Sequence, residues 1–116
     1  MILSAYAMKT YKIIVYVPET HGDRMRDAMG KAGAGRIGKY SFCSFTTKGM
    51  GRFMPEKDAT PAIGEVGRLE EVAEERIEMV CAEDRLRDVL EGIREAHPYE
   101  EPATDVYALE SLQMDT

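Results

Sequence analysis

The sequence predicts an α+β domain of order β-α-β-β-α-β: a four-stranded antiparallel sheet with two helices on one face. Three observations point to it. Tyr11–Val17, Arg76–Cys81 and Val106–Leu109 are short runs rich in β-branched, aromatic or other apolar residues. Two intervening stretches space apolar residues at i, i+3, i+4 and i+7: Met25, Ala28, Met29, Ala32, and then Leu86, Val89, Leu90, Ile93. The chain of 116 residues is long enough to bury one core and too short to divide comfortably into two.

The first strand, Tyr11–Val17, is apolar on both faces. Tyr11, Ile13, Val15 and Val17 share one parity, and Ile14 and Tyr16 the other. Two helices cover only one face of a sheet, so the second face asks for a partner subunit. Pro18–Asp23 leads into the first helix, with Thr20 and Asp23 spaced as a capping box. Gly33-Ala34-Gly35 ends that helix, glycine being the usual residue at a left-handed cap. Gly33 through Gly38 also looks like a phosphate cradle, but it follows a helix instead of opening one, so no positive helix end faces it.

The alternation of Phe42 and Ser44 against Cys43 and Phe45 predicts a second strand over Tyr40–Thr47, with a turn or bulge at Gly49 and Gly51 and renewed pairing at Arg52–Met54. Glu56–Gly67 is a polar loop, long enough to be functional or mobile. Arg68–Glu75, rich in glutamate, reads as an exposed edge segment, with Glu70 and Arg76 available for an ion pair between neighbouring strands. Arg76–Cys81 is the third main strand, facing the core with Ile77, Met79 and Cys81. Asp84 is placed to cap the second helix, in which Gly92 weakens the helix by about 1 kcal/mol relative to alanine. The helix stops at His97-Pro98, and Val106–Leu109 is the closing strand. Together these elements give the ferredoxin-like arrangement.

Composition narrows the function classes. Apolar residues make up 44% and charged residues 31% of the chain, and the net charge is −6. No basic stripe exists to displace phosphate counterions, so no nucleic-acid partner is expected. No stretch approaches a membrane span, and no membrane partner is expected. Residues 1–8 lack the basic region of a signal peptide and are read as a flexible tail. Residues 9–109 are read as the domain and 110–116 as a polar C-terminal tail. Cys43 and Cys81 make no disulfide framework, which fits a reduced, cytoplasmic setting.

The chemistry-bearing residues collect in His97-Pro98-Tyr99-Glu100-Glu101-Pro102-Ala103. One imidazole, one phenol and two carboxylates sit on a loop stiffened by two prolines. Such a loop can hold a divalent ion, with His97, Glu100 and Glu101 as candidate ligands, or it can serve as a structural corner. Glu100 and Glu101 are adjacent, so in extended chain their carboxylates diverge.

Gly33-Ala34-Gly35, Ile37-Gly38 with Tyr40, Cys43-Ser44-Phe45, Gly49, Gly51 with Phe53, Ile63-Gly64, Gly67, Glu70, Arg76, and Ala96–Ala103 with Asp105 and Tyr107 form a further pattern. It resembles the small PII- and CutA-like domain inserted in Nif-three-like (NGG-interacting-factor-three-like) proteins, and the free-standing relatives of that domain. The resemblance runs from about Lys9 to Leu109, with Lys39 and Phe42 where the family pattern often has Asn and His. It implies a PII/CutA-like fold and a homotrimer with sheet faces turned toward the threefold centre. The parent proteins carry a dinuclear metal site on a separate flanking domain. His21 and His97 are the two histidines here, so that hydrolase chemistry is not expected to carry over.

The function expected is therefore a non-catalytic homotrimeric PII/CutA-like binding or regulatory module. Its partners would be its own copies, with a small ligand or a separately encoded protein. Candidate ligand-binding residues are Tyr40, His97, Tyr99, Glu100 and Glu101, with no catalytic residue. The alternative is a metal-binding protein or metal-dependent enzyme using the His97–Glu101 loop, with a divalent metal ion as the one candidate cofactor.

Overall fold

The computed structural model describes residues 9–110; the segment 1–8 and most of the segment 110–116, both read as tails, lie outside the described residues. The elements are β1 (Thr10–Pro18), α1 (Gly22–Ala32), β2 (Phe45–Phe53), β3 (Glu70–Ala82), α2 (Leu86–Ala96) and β4 (Thr104–Leu109). The strands form one antiparallel sheet of order β2-β3-β1-β4, the ferredoxin-like topology. β1 is central, pairing with β3 from Thr10↔Ala82 to Pro18↔Glu74 and with β4 from Thr10↔Leu109 to Val15↔Thr104.

The core follows the parity of β1. Ile13, Val15 and Val17 pack with Ile77, Met79 and Cys81 of β3, Met25 and Met29 of α1, and Val89 and Ile93 of α2. Each buried aliphatic side chain contributes about 1.5–3 kcal/mol to folding. The helices meet at Gly92, whose missing side chain faces the Ala28 carbonyl and the Ala32 methyl. Gly33 closes α1 at φ 116°, donating to Gly30, while Ala34 donates to Met29. That pair of bonds is the Schellman arrangement, and the positive φ favours glycine.

Four expectations change. β2 begins at Phe45 instead of Tyr40; Tyr40–Ser44 is a loop in which Phe42 adopts φ 58° with its ring over Gly30. Gly49 and Gly51 lie inside β2, where the ladder to β3 fixes the backbone and an exposed edge strand has little to bury. Arg68–Glu75 is no separate edge segment. From Glu70 it is the first half of β3, a 13-residue strand joining β2 to β1, so Glu70 and Arg76 share one strand and form no cross-strand pair. Arg76 instead reaches toward Glu78 and lies over the Tyr16 ring. Neither Thr20 nor Asp84 caps a helix, because a 3-10 turn, Glu19–His21 or Glu83–Arg85, leads into each one. Asp23 binds Arg26 instead.

Because β3 outruns β1, Glu70–Ala73 pair with β2 alone. The β2–β3 ribbon therefore projects as an arm beyond the helix-covered sheet, and Lys48 and Met50 on its helix side are exposed. At the base of the arm, Arg26 of α1 reaches the buried carboxylate of Glu75 at 2.6 Å and the hydroxyl of Thr46 at 3.2 Å.

Candidate functional site

The His97–Ala103 loop is fixed by its first residue. α2 ends where His97 turns extended, at φ −79° and ψ 135°, the geometry a following proline favours. The ring is 7% exposed and uses both nitrogens. Nε2–H donates to the Tyr16 carbonyl at 2.7 Å, and Nδ1 accepts the Tyr99 backbone N–H at 3.1 Å. This pairing defines one neutral tautomer. Burial holds the ring below its ordinary pKa; the Tyr16 bond and the Glu74 charge oppose that shift, and the charge of His21 adds to it. Coordination of a metal by His97 would require one of these two hydrogen bonds to break.

Tyr99 is thereby aimed at β3. Its hydroxyl donates to Glu74 Oε2 at 3.1 Å, and its ring lies 5.7 Å from that of Phe53 at 59°. Burial, then the charge and hydrogen bond of Glu74, push the phenol above its ordinary pKa, so it stays a donor at neutral pH. Glu100 accepts the Thr60 N–H at 2.9 Å, which ties this loop to the long one between β2 and β3. Ala103 accepts from Tyr16 N–H at 3.1 Å and returns the chain to the sheet.

Between the two loops and the helix-free face of the arm lies a cleft of about 650 Å³. Tyr16, Gly51, Phe53 and Glu74 line it from the sheet. Met54–Ala59, Pro61 and Ile63 supply the second side, and Tyr99, Glu100, Glu101 and Ala103 the third. That volume falls in the range of about 300–1,000 Å³ usual for small-molecule sites. Of the residues singled out from the sequence, Tyr99, Glu100 and Glu101 line the cleft. His97 stands behind the wall as its anchor. Tyr40 does not line it; it is 76% exposed on the Ile37–Tyr40 turn. Among the described residues, no group of three or more His, Cys, Asp or Glu is arranged to hold a metal ion.

No protein-family model matches the chain. It is 50% identical over 99 residues to a GTP cyclohydrolase 1 type 2 homolog of Halalkalibacterium halodurans, covering 85% of this chain and 27% of that protein. A protein of the same name from Mycobacterium tuberculosis is 48% identical over 98 residues, covering 84% of this chain and 26% of that protein. The solved Bacillus cereus protein related to NIF3 superposes with a TM-score of 0.81 at 41% identity, over 96% of this chain and 28% of that one. The chain belongs to the Nif-three-like family. It spans about a quarter of the curated relatives' length. CutA from Archaeoglobus fulgidus, a periplasmic divalent cation tolerance protein, shares the fold at a TM-score of 0.65 and 14% identity, over 88% of this chain and 85% of that one.

In this Nif-three-like chain, sequence reasoning passed over Glu74 and Tyr16 as site residues. A signal existed for Glu74. Carrying the parity of Ile77, Met79 and Cys81 back along one unbroken strand puts Glu75 on the core side and Glu74 on the opposite face. Reading Arg68–Glu75 as a solvated edge segment hid it.

Proposed function

We propose that this chain is a non-catalytic binding or regulatory module of PII/CutA-like type, a homotrimer that takes a small ligand in the cleft beside Tyr99–Glu101. One observation carries the self-assembly. The helix-free sheet face holds Ile14, Val80, Phe45 and Tyr107, with Phe45 69% and Tyr107 54% exposed. Large apolar side chains on an uncovered sheet face favour a protein partner. Lys12, Arg76 and Glu78 on the same face provide charges of both signs, as a surface that meets copies of itself requires. The cleft supports the binding half of the reading, because its walls are held by His97, Tyr99 and Glu100 with no ligand needed to order them. Two free cysteines suit a reduced, cytoplasmic setting.

Sedimentation equilibrium tests the assembly. A mass of three chains is expected, and Phe45→Glu or Tyr107→Glu should lower it while the far-ultraviolet spectrum stays unchanged. A single-chain mass for the unaltered protein overturns the proposal.

A further inference from the structure

We propose that the cleft selects a small organic cation, a molecule bearing an ammonium or guanidinium group. The inference rests on the reading of the cleft as a ligand site and adds the class of ligand. Its centre is Glu74. The carboxylate is half-buried on the cleft floor and accepts one hydrogen bond, from Tyr99. Among the described residues, no lysine or arginine lies within ion-pair distance of it, whereas Glu65, Glu71, Glu75 and Glu78 each have a basic partner. An unneutralised carboxylate partly removed from water gains more from an arriving cation than an exposed one does.

The groups around Glu74 extend the same preference. The tilted rings of Phe53 and Tyr99 form an aromatic corner beside the carboxylate, and an aromatic face attracts a cation through its quadrupole. Gly51 lies against the Glu74 carboxylate; a Cβ there would occupy the space of its oxygens. Glycine at this position therefore lets the Glu74 carboxylate settle against β2 on the cleft floor. Glu56, Asp58, Glu100 and Glu101 add negative charge at the margin, against Lys57 and Arg52, and Arg52 is held by Glu71 at 3.1 Å.

An anionic ligand would meet repulsion first. A phosphate in the cleft would face the Glu74 carboxylate and the acidic margin, with Lys57 and the Glu71-paired Arg52 as the basic side chains of the lining. The cleft chemistry thus separates cations from anions: the carboxylate and two rings favour the first, and the surrounding negative charge disfavours the second.

The test titrates the isotopically labelled chain with spermidine, arginine amide and tetramethylammonium, and separately with ATP and citrate. Amide and aromatic resonances of Phe53, Glu74 and Tyr99 are followed by nuclear magnetic resonance. Cationic probes should shift these resonances saturably at millimolar concentration, and the affinity should fall with added salt. Glu74→Gln, close in shape and still able to meet Tyr99, should weaken the cations about tenfold or more, a change of about 1.4 kcal/mol. Phe53→Leu should weaken tetramethylammonium most, since that probe offers no hydrogen bond. Tighter binding of ATP or citrate at the same residues would overturn the cation proposal and leave the cleft as a ligand site. Equal cation affinity in Glu74→Gln would also overturn it. If no probe moves these resonances, both the cation proposal and the cleft's role as a ligand site fall, while the trimer stands or falls on sedimentation alone.

Discussion

Truncating His97 to alanine tests the claim that one buried ring holds the candidate site together. The Tyr16 carbonyl would lose the donor 2.7 Å away, and the Tyr99 N–H would lose its acceptor at 3.1 Å. A buried polar group left without a partner costs about 1–3 kcal/mol. Water would reach one of the two groups once the ring is gone, leaving the other unpaired, so the expected loss is about 1–3 kcal/mol. Urea denaturation followed by far-ultraviolet dichroism measures it, with an unchanged slope showing that the unfolded state is the same. Amide exchange at Tyr99 should accelerate together with the loss of stability. A variant within about 0.5 kcal/mol of the parent, in the range of ordinary surface substitutions, with Tyr99 still protected, would refute the anchoring role.

The pH dependence follows from the same ring. Its folded pKa is lowered, so protons bind the unfolded chain more readily. The stability is complete above the unfolded value of about 6.5 and declines as pH falls through the depressed folded value. His97→Ala should remove that part of the decline. Calorimetry of the chelator-treated protein with zinc and manganese separates anchoring from metal ligation, since heat present in the parent and absent in His97→Ala would assign the ring to a cation.

Three further outcomes are expected. Arg26→Met should destabilise by about 2–4 kcal/mol, below the full buried-pair range because part of Arg26 meets solvent, and Arg26→Met with Glu75→Met should recover most of it in the same denaturation assay. Gly92→Ala should raise stability by about 0.5–1 kcal/mol, since its methyl would sit 3.6 Å from the Ala28 carbonyl in ordinary contact; a loss by thermal melting would mean the helices pack too closely there. Across Glu56–Gly67, hydrogen exchange should be fastest of the internal segments, with the amides of Ala59, Thr60 and Gly67 slower than their neighbours because they donate to Glu56, Glu100 and Pro55; uniform slow exchange would contradict this.

The fold was legible where burial writes a period into the sequence. Both helices and the core half of β3 bury one face each, β1 buries its core parity together with Ile14, and Ile13, Met25, Ile77, Val89 and Ile93 appear in the core as their spacing requires. β2 and the first half of β3 were not legible in the same way. They pair with each other beyond the helices, so Gly49, Gly51 and Glu71 experience no burial that would select apolar residues. In the site, the two prolines and the clustered polar residues marked Tyr99, Glu100 and Glu101. Glu74 and Tyr16 come from other strands, and only the register of β1 on β3 brings them to the same cleft. Side-chain identity marked His97, but its role depends on Tyr16 O, a backbone atom 81 residues away, which no local pattern encodes.

The pairing of Thr10 with Leu109 has an architectural consequence. Chain entering the sheet at β1 and leaving it at β4 does so through neighbouring doorways, about 5 Å apart as antiparallel partners are. A polypeptide interrupted by this unit needs to part by only that width, and joining points so close together adds little closure entropy to the host. The unit is therefore portable. The same sheet can belong to a much longer protein without rearranging a strand of its own, as its superposition on 28% of the solved Bacillus cereus chain illustrates.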